Sequence, residues 1–523
     1  MPEPESRETR RQANQDTTAT AVEGNVPETG RRLFPAVGEP SIRENAAEPE
    51  FASATAQLGF FASLVLNPAR DWVLLFLVIQ CLADLDGNTN AYSRWAAMAA
   101  MAEDHSLNID NYHQHTIDWA RTPDGHYYSN KAPGPAILGY PLFRLIDEIS
   151  VRGTKTREER DQKRLEDRST VLHILSVATQ AVPYGLFVML LVAALQPLRL
   201  PLSALHVTAV ALLFGNTASL YMNTYFGHGM AAMFVLAMLW ALHRGMPFRI
   251  GLFFGLAALC DYGAALLGLP LLWAVWHLRR SRVRILRRFL LGGLVPGAVF
   301  VAYHYHCFGG PFSLPNKFQN PAFLDVPKHV PNLWGVLRLL PKYDVVLDLL
   351  WGPARGLLYT QPWVLLCLLL SPFLLWRRSG WTHEQRAFAK RTSGFAIVGL
   401  ALLLWMNASF GAWHGGATQG PRYLAVAFPA LALALAGLFA RAPGFWRQAL
   451  VVTLAVSTVP FLLLFSTSDV RPMPQDPLLA FYLSRLLADQ GRHLERGLFI
   501  AFGFAWVGWR AWRDIRRAEN PVP

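Results

Sequence analysis

Charged residues and cysteines are both scarce in this sequence of 523 residues. Asp, Glu, Lys and Arg make up 16 % of it, whereas soluble proteins carry about a quarter. No internal repeat at a solenoid period and no soluble nucleotide-binding domain is recognisable, which argues against a repeat protein and against the use of a nucleotide sugar. The four cysteines show no metal-ligand spacing, so neither a disulfide framework nor a zinc site is indicated; they are Cys81, Cys260, Cys307 and Cys367.

Apolar length is what the sequence has in abundance. Hydrophobic residues make up 52 % of it, and the mean hydropathy is +0.23. Several apolar runs are long enough to cross a hydrocarbon layer about 30 Å thick, which predicts an all-α polytopic membrane protein with about 12 or 13 transmembrane helices. The ten runs are 71–83, 170–195, 201–222, 229–242, 289–303, 357–376, 392–406, 424–440, 449–466 and 497–509.

The first 50 residues differ from the rest. They hold six Arg and ten Asp or Glu among Pro, Thr and Asn, with no apolar run, which predicts a disordered cytoplasmic tail over 1–58 and not a signal peptide. The tail contributes −4 to a formal net charge of +12, so the remainder carries +16. In a membrane protein this excess fits cytoplasmic loops. Because no basic patch lies on a predicted soluble face, no nucleic acid partner is expected.

Basic clusters mark the predicted cytoplasmic side. Both flanks of 250–278 are basic, so this segment should leave and return on one side. Each half has about fourteen residues, or roughly 21 Å of helix, so its apex at Asp261-Tyr262 would lie in a cavity open to the far side. The clusters are His243-Arg244 with Arg249, Arg279 to Arg288, Trp376 through Arg391, Arg441 with Arg447, and Arg513 through Arg517.

These signals divide the chain after the tail into two parts. A transmembrane core is predicted over 59–440, with large external loops at 84–134 and 304–356. C-terminal transmembrane helices follow over 441–523. The resulting protein would be embedded in the membrane along most of its length.

The first external loop carries a predicted surface helix. Small and apolar residues recur at helical spacing from Ala91 to Ala102, as in a helix lying along a membrane. After the loop, the charge-balanced segment 150–169 conflicts with helix parity, so we interpret 135–149 as a short or re-entrant element. Lys131 stands just before it in "KAPGP", where Pro133 and Pro135 lack N–H donors; we therefore predict an irregular entry into the membrane.

Several motifs of this chain occur in an order that is known from one family. Ser93-Arg94-Trp95 near the start of the surface helix and "YYSNKAPG" (127–134) resemble the glycosyltransferase C superfamily. Within it, the chain is most similar to the bacterial branch related to protein O-mannosyltransferases and the lipid A aminoarabinose transferase. The resemblance spans about 80–430. The later motifs are "NTYFGHGMAA" (223–232), "LCDYGAAL" (259–266), "YHCFGGPFS" (305–313), "GPARGLLYTQP" (352–362) and "NASFGAWHGGATQGPRYLAVAFP" (407–429).

The resemblance implies transfer of one sugar, with inversion, from a polyprenyl-phosphate donor to a lipid or protein acceptor. The reaction would take place on the extracytoplasmic face of the bacterial inner membrane. The family uses an acidic residue of the first loop as general base and cations that hold the carrier phosphate. The chemistry requires both, because a hydroxyl proton needs a base within hydrogen-bond reach and a departing phosphate needs preorganised positive charge in a water-poor site.

The sequence departs from the family pattern at three places. Relatives carry an acid just before the Ser-Arg-aromatic triplet, where this chain has 90–92, Asn-Ala-Tyr. They have Glu or Asp before the lysine, where Asn130 stands here. The lysine usual in the short hairpin is replaced by Asp261-Tyr262.

The acid–base candidates must therefore come from other positions. We expect the base at Asp86, with Asp84 close to it, although the Asp86-Gly87 pair is also typical of a turn that ends a helix. His228, before an outer helix end, is a further acid–base candidate. No metal ligand is assigned and the cofactor is unknown; Asp86, His228 and a loop histidine carry atoms that a divalent metal would accept.

Lys131 is the first candidate ligand of the carrier phosphate, or else an interfacial lysine whose stem covers apolar surface. Arg94 would support the same site. Arg422 enters a helix from outside and would hold a phosphate or orient the acceptor, or act as a cap. The other residues assigned to carrier or acceptor binding are Asp261, Arg355, Trp413, His414 and Tyr423.

Two other functions remain compatible with the sequence. One is a membrane transporter or a flippase of lipid-linked saccharides, although transporters concentrate ionisable groups at the midplane of broken helices. Here, apart from Asp261, such groups cluster in two outer loops and at helix ends. The other is a relative that lost its base, as Asn90 and Asn130 suggest, and binds the carrier without transferring sugar.

Overall fold

The computed structural model describes 65–83, 88–276, 282–323, 332–333, 337–376, 381–418, 420–467, 475–488 and 492–519. Helices dominate these residues, and the described strands form two short antiparallel hairpins. Among the described residues, five helical segments are long and apolar enough to cross a membrane, and six apolar helices of 10–17 residues accompany them. The protein is an all-α polytopic membrane protein. The count of about 12 or 13 spanning helices stays a prediction, and the tail over 1–58 lies outside the described residues.

The helices are α1 (Arg70–Leu82), α2 (Thr89–Glu103), α3 (Gly134–Ser150), α4 (Arg157–Glu166), α5 (Arg168–Ser176), α6 (Val182–Leu195), α7 (Leu202–Leu213), α8 (Thr217–Leu220), α9 (Gly227–His243), α10 (Pro247–Cys260), α11 (Gly268–Trp276), α12 (Arg282–Phe308), α13 (Tyr343–Trp351), α14 (Leu357–Thr360), α15 (Pro362–Trp376), α16 (His383–Ser409), α17 (Phe428–Arg441), α18 (Gly444–Thr467), α19 (Leu478–Ala488) and α20 (Arg492–Glu519). The strands are β1 (Trp119–Arg121), β2 (Tyr127–Ser129), β3 (Asn332–Leu333) and β4 (Leu337–Arg338). A π turn, Val177–Ala181, joins α5 to α6, and 3-10 turns include Tyr262–Leu267 and Arg422–Ala427.

The centre of the bundle is formed by α17 and its neighbours. Of the most apolar stretch in 422–441, 89 % is buried within the protein, against 22 % in α12. The Leu-Ala alternation of α17 explains this difference, because small residues let neighbouring helices approach closely. It packs against α7, α9, α15 and α16. Helix α12 instead leaves most of its apolar surface for lipid.

Glycines hold α10 and α12 in backbone contact. A Cβ on Gly251 of α10 would overlap the carbonyl oxygen of Phe289, and a Cβ on Gly292 of α12 would overlap that of Phe248. Only glycine fits at either position, so the two helices cross with their main chains touching. This contact holds α10 in place next to α9.

The segment predicted as a short hairpin breaks at Asp261. Helix α10 ends at Cys260, and the Asp261 carboxylate accepts a hydrogen bond from the Gly263 N–H at 3.0 Å, which caps the 3-10 turn that follows. The chain then returns through α11, whose Trp273 lines the same pocket as Arg244, just before α10. Both ends of the segment therefore lie at one end of the bundle, with Asp261 at the other.

Helix α2 in the first loop is covered by the rest of that loop. Residues such as Trp95 and Met98 are buried, and α2 packs against α3, α5 and the β1–β2 hairpin. The Ser93 hydroxyl donates to the carbonyl oxygen of Asp118 at 2.5 Å and bonds the Ser129 hydroxyl at 2.7 Å. These bonds fix the loop as one packed unit.

The irregular membrane entry predicted at "KAPGP" is wrong. Regular helix α3 begins at Gly134, with Pro133 as its N-cap and Pro135 in its first turn. A proline there costs little, because the first N–H groups of a helix have no intrahelical partner and its fixed φ suits the helix. Helix α3 also contains a second proline, Pro141, in its interior and continues past it to Ser150.

The chain returns to the first loop directly after α3. The Arg164 guanidinium of α4 bonds Asp147 at 2.7 and 2.9 Å and Glu103 of α2 at 2.8 Å. Arg157 also reaches Asp104 at 2.7 Å. Helix α3 leaves from this loop and α4 packs back onto it, and the interpretation of 135–149 as a short or re-entrant element stays a prediction. Charged residues of 150–169, among them Arg157 and Arg164, form the ion pairs that hold α4 on the first loop.

Candidate functional site

The β1–β2 hairpin brings Asp118 and Lys131 together. Its register pairs Trp119 with Ser129, so the residues just outside the two strands face each other. Lys131 Nζ donates to Asp118 Oδ1 at 2.7 Å, and the Thr89 hydroxyl donates to Oδ2 at 2.8 Å. The side chains of Lys131 and Asp118 are only 17 % and 11 % exposed.

Both members of this ion pair have displaced pKa values. Burial disfavours the charged form of Asp118, but Lys131 and the Thr89 hydroxyl outweigh it, so the pKa of the carboxyl lies below its usual range. Burial lowers the pKa of the Lys131 ammonium by more than Asp118 raises it. Burial therefore destabilises the charged form of Lys131, and Asp118 compensates for this only in part.

A histidine–carboxylate pair forms at the start of α9. His228 Nδ1 and Asp261 Oδ2 lie 2.6 Å apart, and both side chains are nearly buried. Since the carboxylate engages Nδ1, the ring nitrogen that can exchange a proton with a ligand is Nε2. The Tyr423 ring packs edge-on against the imidazole, with centroids 5.5 Å apart.

Cys260 is the point where the first loop, α9 and α10 meet. A Cβ on Gly134 would lie 2.7 Å from Cys260 Sγ. One on Gly227 would overlap the Cys260 carbonyl oxygen and lie 2.9 Å from Arg94 Nη2. The Tyr225 hydroxyl donates to the Pro135 carbonyl at 2.8 Å and ties the same segments together. These contacts bring the Lys131 segment beside the His228–Asp261 pair.

Arg94 is buried among these segments. Its Nη1 donates to the Asn90 backbone oxygen at 2.9 Å and also to the Asn90 side-chain oxygen. Asn90 thus holds the guanidinium without neutralising it. Burial lowers the pKa of Arg94 to about 10, against the opposing influence of Asp118. Arg94 is still charged at neutral pH.

Arg422 approaches from the opposite side, through the 407–423 loop. Its guanidinium donates to the Tyr423 hydroxyl at 2.8 Å and lies 5.7 Å from the Phe226 ring centre. Its charge acts on Asp118, Lys131 and His228. Arg422 therefore belongs to the same electrostatic unit.

These side chains form what we call the ionic cluster: Arg94, Asp118, Lys131, His228, Asp261 and Arg422. Three permanent cations face two carboxylates, which leaves an excess of one positive charge when the histidine is neutral. Within the described part of the chain, the buried Nε groups of Arg94 and Arg422 and the Oδ1 of Asn130 have no hydrogen-bond partner. Buried polar groups are almost always satisfied, and an anion bound at the cluster would supply acceptors for the two Nε groups; the Nε of Arg355, outside the cluster, lacks a partner as well.

Three other residues predicted for the site have structural contacts instead. Arg355 is 1 % exposed and donates to the carbonyl oxygens of Thr418 and, at 3.0 Å, Gly416. His414 Nδ1 accepts from the Gly416 N–H at 2.9 Å. Trp413 packs on α13. They shape the loop that carries Arg422, whose charge also acts on Arg355.

The predicted bases Asp84 and Asp86 lie outside the described residues. Among the residues that are described, no group of three or more His, Cys, Asp or Glu is arranged to hold a metal ion. A metal site that includes Asp86 stays a prediction.

Asp118 is the site residue that the sequence interpretation missed. The hairpin turn "TPDGHY" (122–127) is a strong turn signal, with Gly125 at φ +95°. If the two strands are paired outward from that turn, Trp119 lies opposite Ser129, and Asp118 then lies next to the residues that follow β2. The signal was therefore present in the sequence.

A narrow cleft borders the ionic cluster. Arg94, Ser129, Lys131 and Tyr303 line it, and its internal volume is about 10 Å³. That is space for about one water molecule. Any ligand larger than a water molecule requires this cleft to open.

No family model and no curated protein matches the chain. Among solved structures it is similar to the crystal structure of ArnT from Cupriavidus metallidurans bound to undecaprenyl phosphate. The match covers 87 % of this chain and 76 % of that chain, with 15 % sequence identity and a TM-score of 0.43. A similarity of this extent assigns neither substrate nor activity.

Proposed function

We propose that the protein transfers a sugar from a polyprenyl-phosphate carrier to a lipid or protein hydroxyl on the extracytoplasmic face of the bacterial inner membrane. The observation that carries the proposal is the buried excess of positive charge formed by Arg94, Lys131 and Arg422. A buried cation without full compensation is costly. A phosphate would supply both the missing negative charge and acceptors for the two orphaned guanidinium N–H groups. The order of motifs along the sequence agrees with this function.

The three cations would act on the leaving group. As the bond between the anomeric carbon and the phosphate oxygen breaks, negative charge grows on the phosphate, and cations already in place stabilise it without reorganisation. Lys131 is a compact charge that can follow the shifting oxygens, whereas a guanidinium favours one bidentate geometry. Asp118 holds the ammonium in position until the carrier arrives.

His228 is the acid–base group that the described residues offer. Its Nε2 would take the proton of the acceptor hydroxyl as the hydroxyl oxygen attacks the anomeric carbon from the face opposite the phosphate. Asp261, on Nδ1, orients the ring and stabilises the imidazolium that forms. A single displacement of this kind inverts the configuration at the anomeric carbon.

The test compares envelope glycolipids and glycoproteins by mass spectrometry in a deletion strain and in strains complemented with the intact gene or Lys131→Ala. The proposal expects one species to lose the mass of one sugar on deletion. The intact gene should restore it, and Lys131→Ala, present at normal level in the membrane, should not. An unchanged glycan profile would contradict the transfer reaction. Restoration by Lys131→Ala would contradict the role of the cluster.

A further inference from the structure

A second pocket lies at the other end of the bundle. It has a volume of about 840 Å³, within the range of small-molecule sites. Helix α9 begins at the ionic cluster and ends at this pocket with His243, about 24 Å away along its axis. Helix α16 runs the other way, from His383 in the pocket to Ser409 beside the Arg422 loop. The two sites therefore occupy opposite ends of the same helices.

The polar side of this pocket is basic. Arg244 and Lys390 line it, and neither makes an ion pair or a side-chain hydrogen bond within the described residues. Arg391 adds a third permanent cation, and the positive end of α16 points into the same space. Glu384 is the acid among the lining residues. The balance of charge favours an anion.

The pocket also has apolar lining residues, and one of them is partly exposed. Leu198 and Phe388 line it together with Trp273, which is 40 % exposed. On the same helix, α11, Leu269 and Leu272 are 63 % and 48 % exposed and continue this apolar surface. A small soluble anion would leave this apolar surface uncovered, whereas the acyl chains of a lipid would cover it.

We infer that this pocket binds the phosphate headgroup of an anionic phospholipid, with its acyl chains along α11. Basic pockets between transmembrane helices on the cytoplasmic side are suited to such headgroups, and the cluster at His243-Arg244 belongs to the side predicted as cytoplasmic. The lipid would link α9, α11 and α16 at the end opposite the ionic cluster. The inference does not depend on the sugar-transfer reaction.

The test is native mass spectrometry of the delipidated full chain titrated with cardiolipin, phosphatidylglycerol or phosphatidylcholine. Wild-type protein should retain the two anionic lipids and not the neutral one. Each removed cation near a membrane surface should weaken binding about fivefold, so Arg244→Gln with Lys390→Gln should lose it by more than about tenfold. The matched control, Arg516→Gln with Arg517→Gln, removes two exposed cations of α20 outside the pocket and should bind as wild type.

Glu384→Gln tests the inference through a gain of affinity, which a misfolded variant would not show. Removal of the acid should tighten anionic-lipid binding severalfold. Equal retention of phosphatidylcholine, an equal loss in the α20 control, or unchanged affinity in Glu384→Gln would each overturn the inference. Displacement of the lipid by millimolar inorganic phosphate or ATP would also overturn it, because the pocket would then be a site for a soluble anion.

Discussion

Gly415 lies directly against Arg422: a Cβ at this glycine would be 2.6 Å from the Arg422 Nε. Gly416 has almost the same backbone conformation, with φ +72° against +73°, yet a Cβ there would meet nothing within 4 Å. The two neighbours therefore separate the cost of a left-handed backbone from the displacement of one guanidinium.

The first prediction uses that pair. Gly415→Ala should weaken binding of polyprenyl phosphate by about tenfold or more, because loss of a charge-assisted hydrogen bond costs about 1.5–3 kcal/mol. Gly416→Ala carries the same backbone strain and should bind nearly as wild type. Fluorescence titration of each purified variant with polyprenyl phosphate measures the difference. Equal losses in both variants would mean that Arg422 does not contact the phosphate.

Lys131 gives the second prediction. Lys131→Ala should lower turnover by about a hundredfold to a thousandfold, the usual effect of removing one preorganised group that stabilises developing charge. Lys131→Arg should retain part of the activity, because the charge remains while the geometry changes. Sugar transfer by protein in nanodiscs is the measurement, and Lys155→Ala, at an exposed lysine, is the control. Unchanged sugar transfer in Lys131→Ala would contradict the prediction and would mean that Lys131 is an interfacial lysine.

Asp261 should support the chemical step, and its loss should not weaken carrier binding. Asp261→Asn keeps the shape of the side chain but removes the charge that supports an imidazolium on His228. We expect kcat to fall by about a hundredfold to ten-thousandfold, the range of general acid–base catalysis, while the affinity for polyprenyl phosphate should not fall, because the substitution removes a negative charge from the ionic cluster. Presteady-state turnover together with equilibrium binding separates the two quantities. A loss confined to binding would place Asp261 outside the proton transfer.

The pH dependence of carrier binding follows from Lys131. Its pKa lies below the ordinary 10.5, so the affinity for polyprenyl phosphate should begin to fall at a lower pH than for an ordinary lysine. Stability should change in the opposite direction to affinity. Because the folded-state pKa of Lys131 is lowered, the unfolded chain binds more protons between the folded and unfolded pKa values, and the free energy of unfolding rises with pH over that range. Lys131→Arg should lose less affinity over the same range. If the thermal stability and the affinity of the wild type both fall as pH rises, while those of Lys131→Arg do not, the loss of affinity reflects unfolding and contradicts this prediction.

Arg164 provides a prediction on the fold. Its side chain is 3 % exposed and bridges Asp147 and Glu103. Arg164→Met removes one partner of a buried network and should cost about 3–5 kcal/mol. Lys163→Met removes the adjacent Lys163–Asp167 pair, which is 41 % and 31 % exposed, and should change stability little. Thermal unfolding in detergent compares them. Equal midpoints for the two variants would show that α4 is not held through Arg164.

Particular residues show how far the sequence predicts this molecule. Hydropathy predicts the helical membrane architecture because the bilayer requires apolar length, and the break at Asp261 follows from a charged residue between two short helices. Helix α3 was misjudged at Pro135, since the same proline breaks a helix interior and starts a helix well.

The ionic cluster was only partly predictable for a different reason. Lys131, His228, Asp261 and Arg422 could be singled out as polar residues at helix ends. Which of them meet depends on contacts between segments far apart in sequence, such as Gly134 with Cys260, which no local pattern encodes. Asp118 needed only the hairpin register.

The most direct measurement of the central claim is an experimental structure of the protein with polyprenyl phosphate bound in nanodiscs. The phosphorus is expected within about 4 Å of Lys131 Nζ, as charge-assisted contacts require, and the Nε groups of Arg94 and Arg422 should donate to its oxygens. The cleft beside Tyr303 should be open and filled by the first isoprene units. A phosphate bound at Arg355 or in the basic pocket at the end of α9, with the Nε groups of Arg94 and Arg422 still without an acceptor, would contradict the assignment of the ionic cluster as the carrier site.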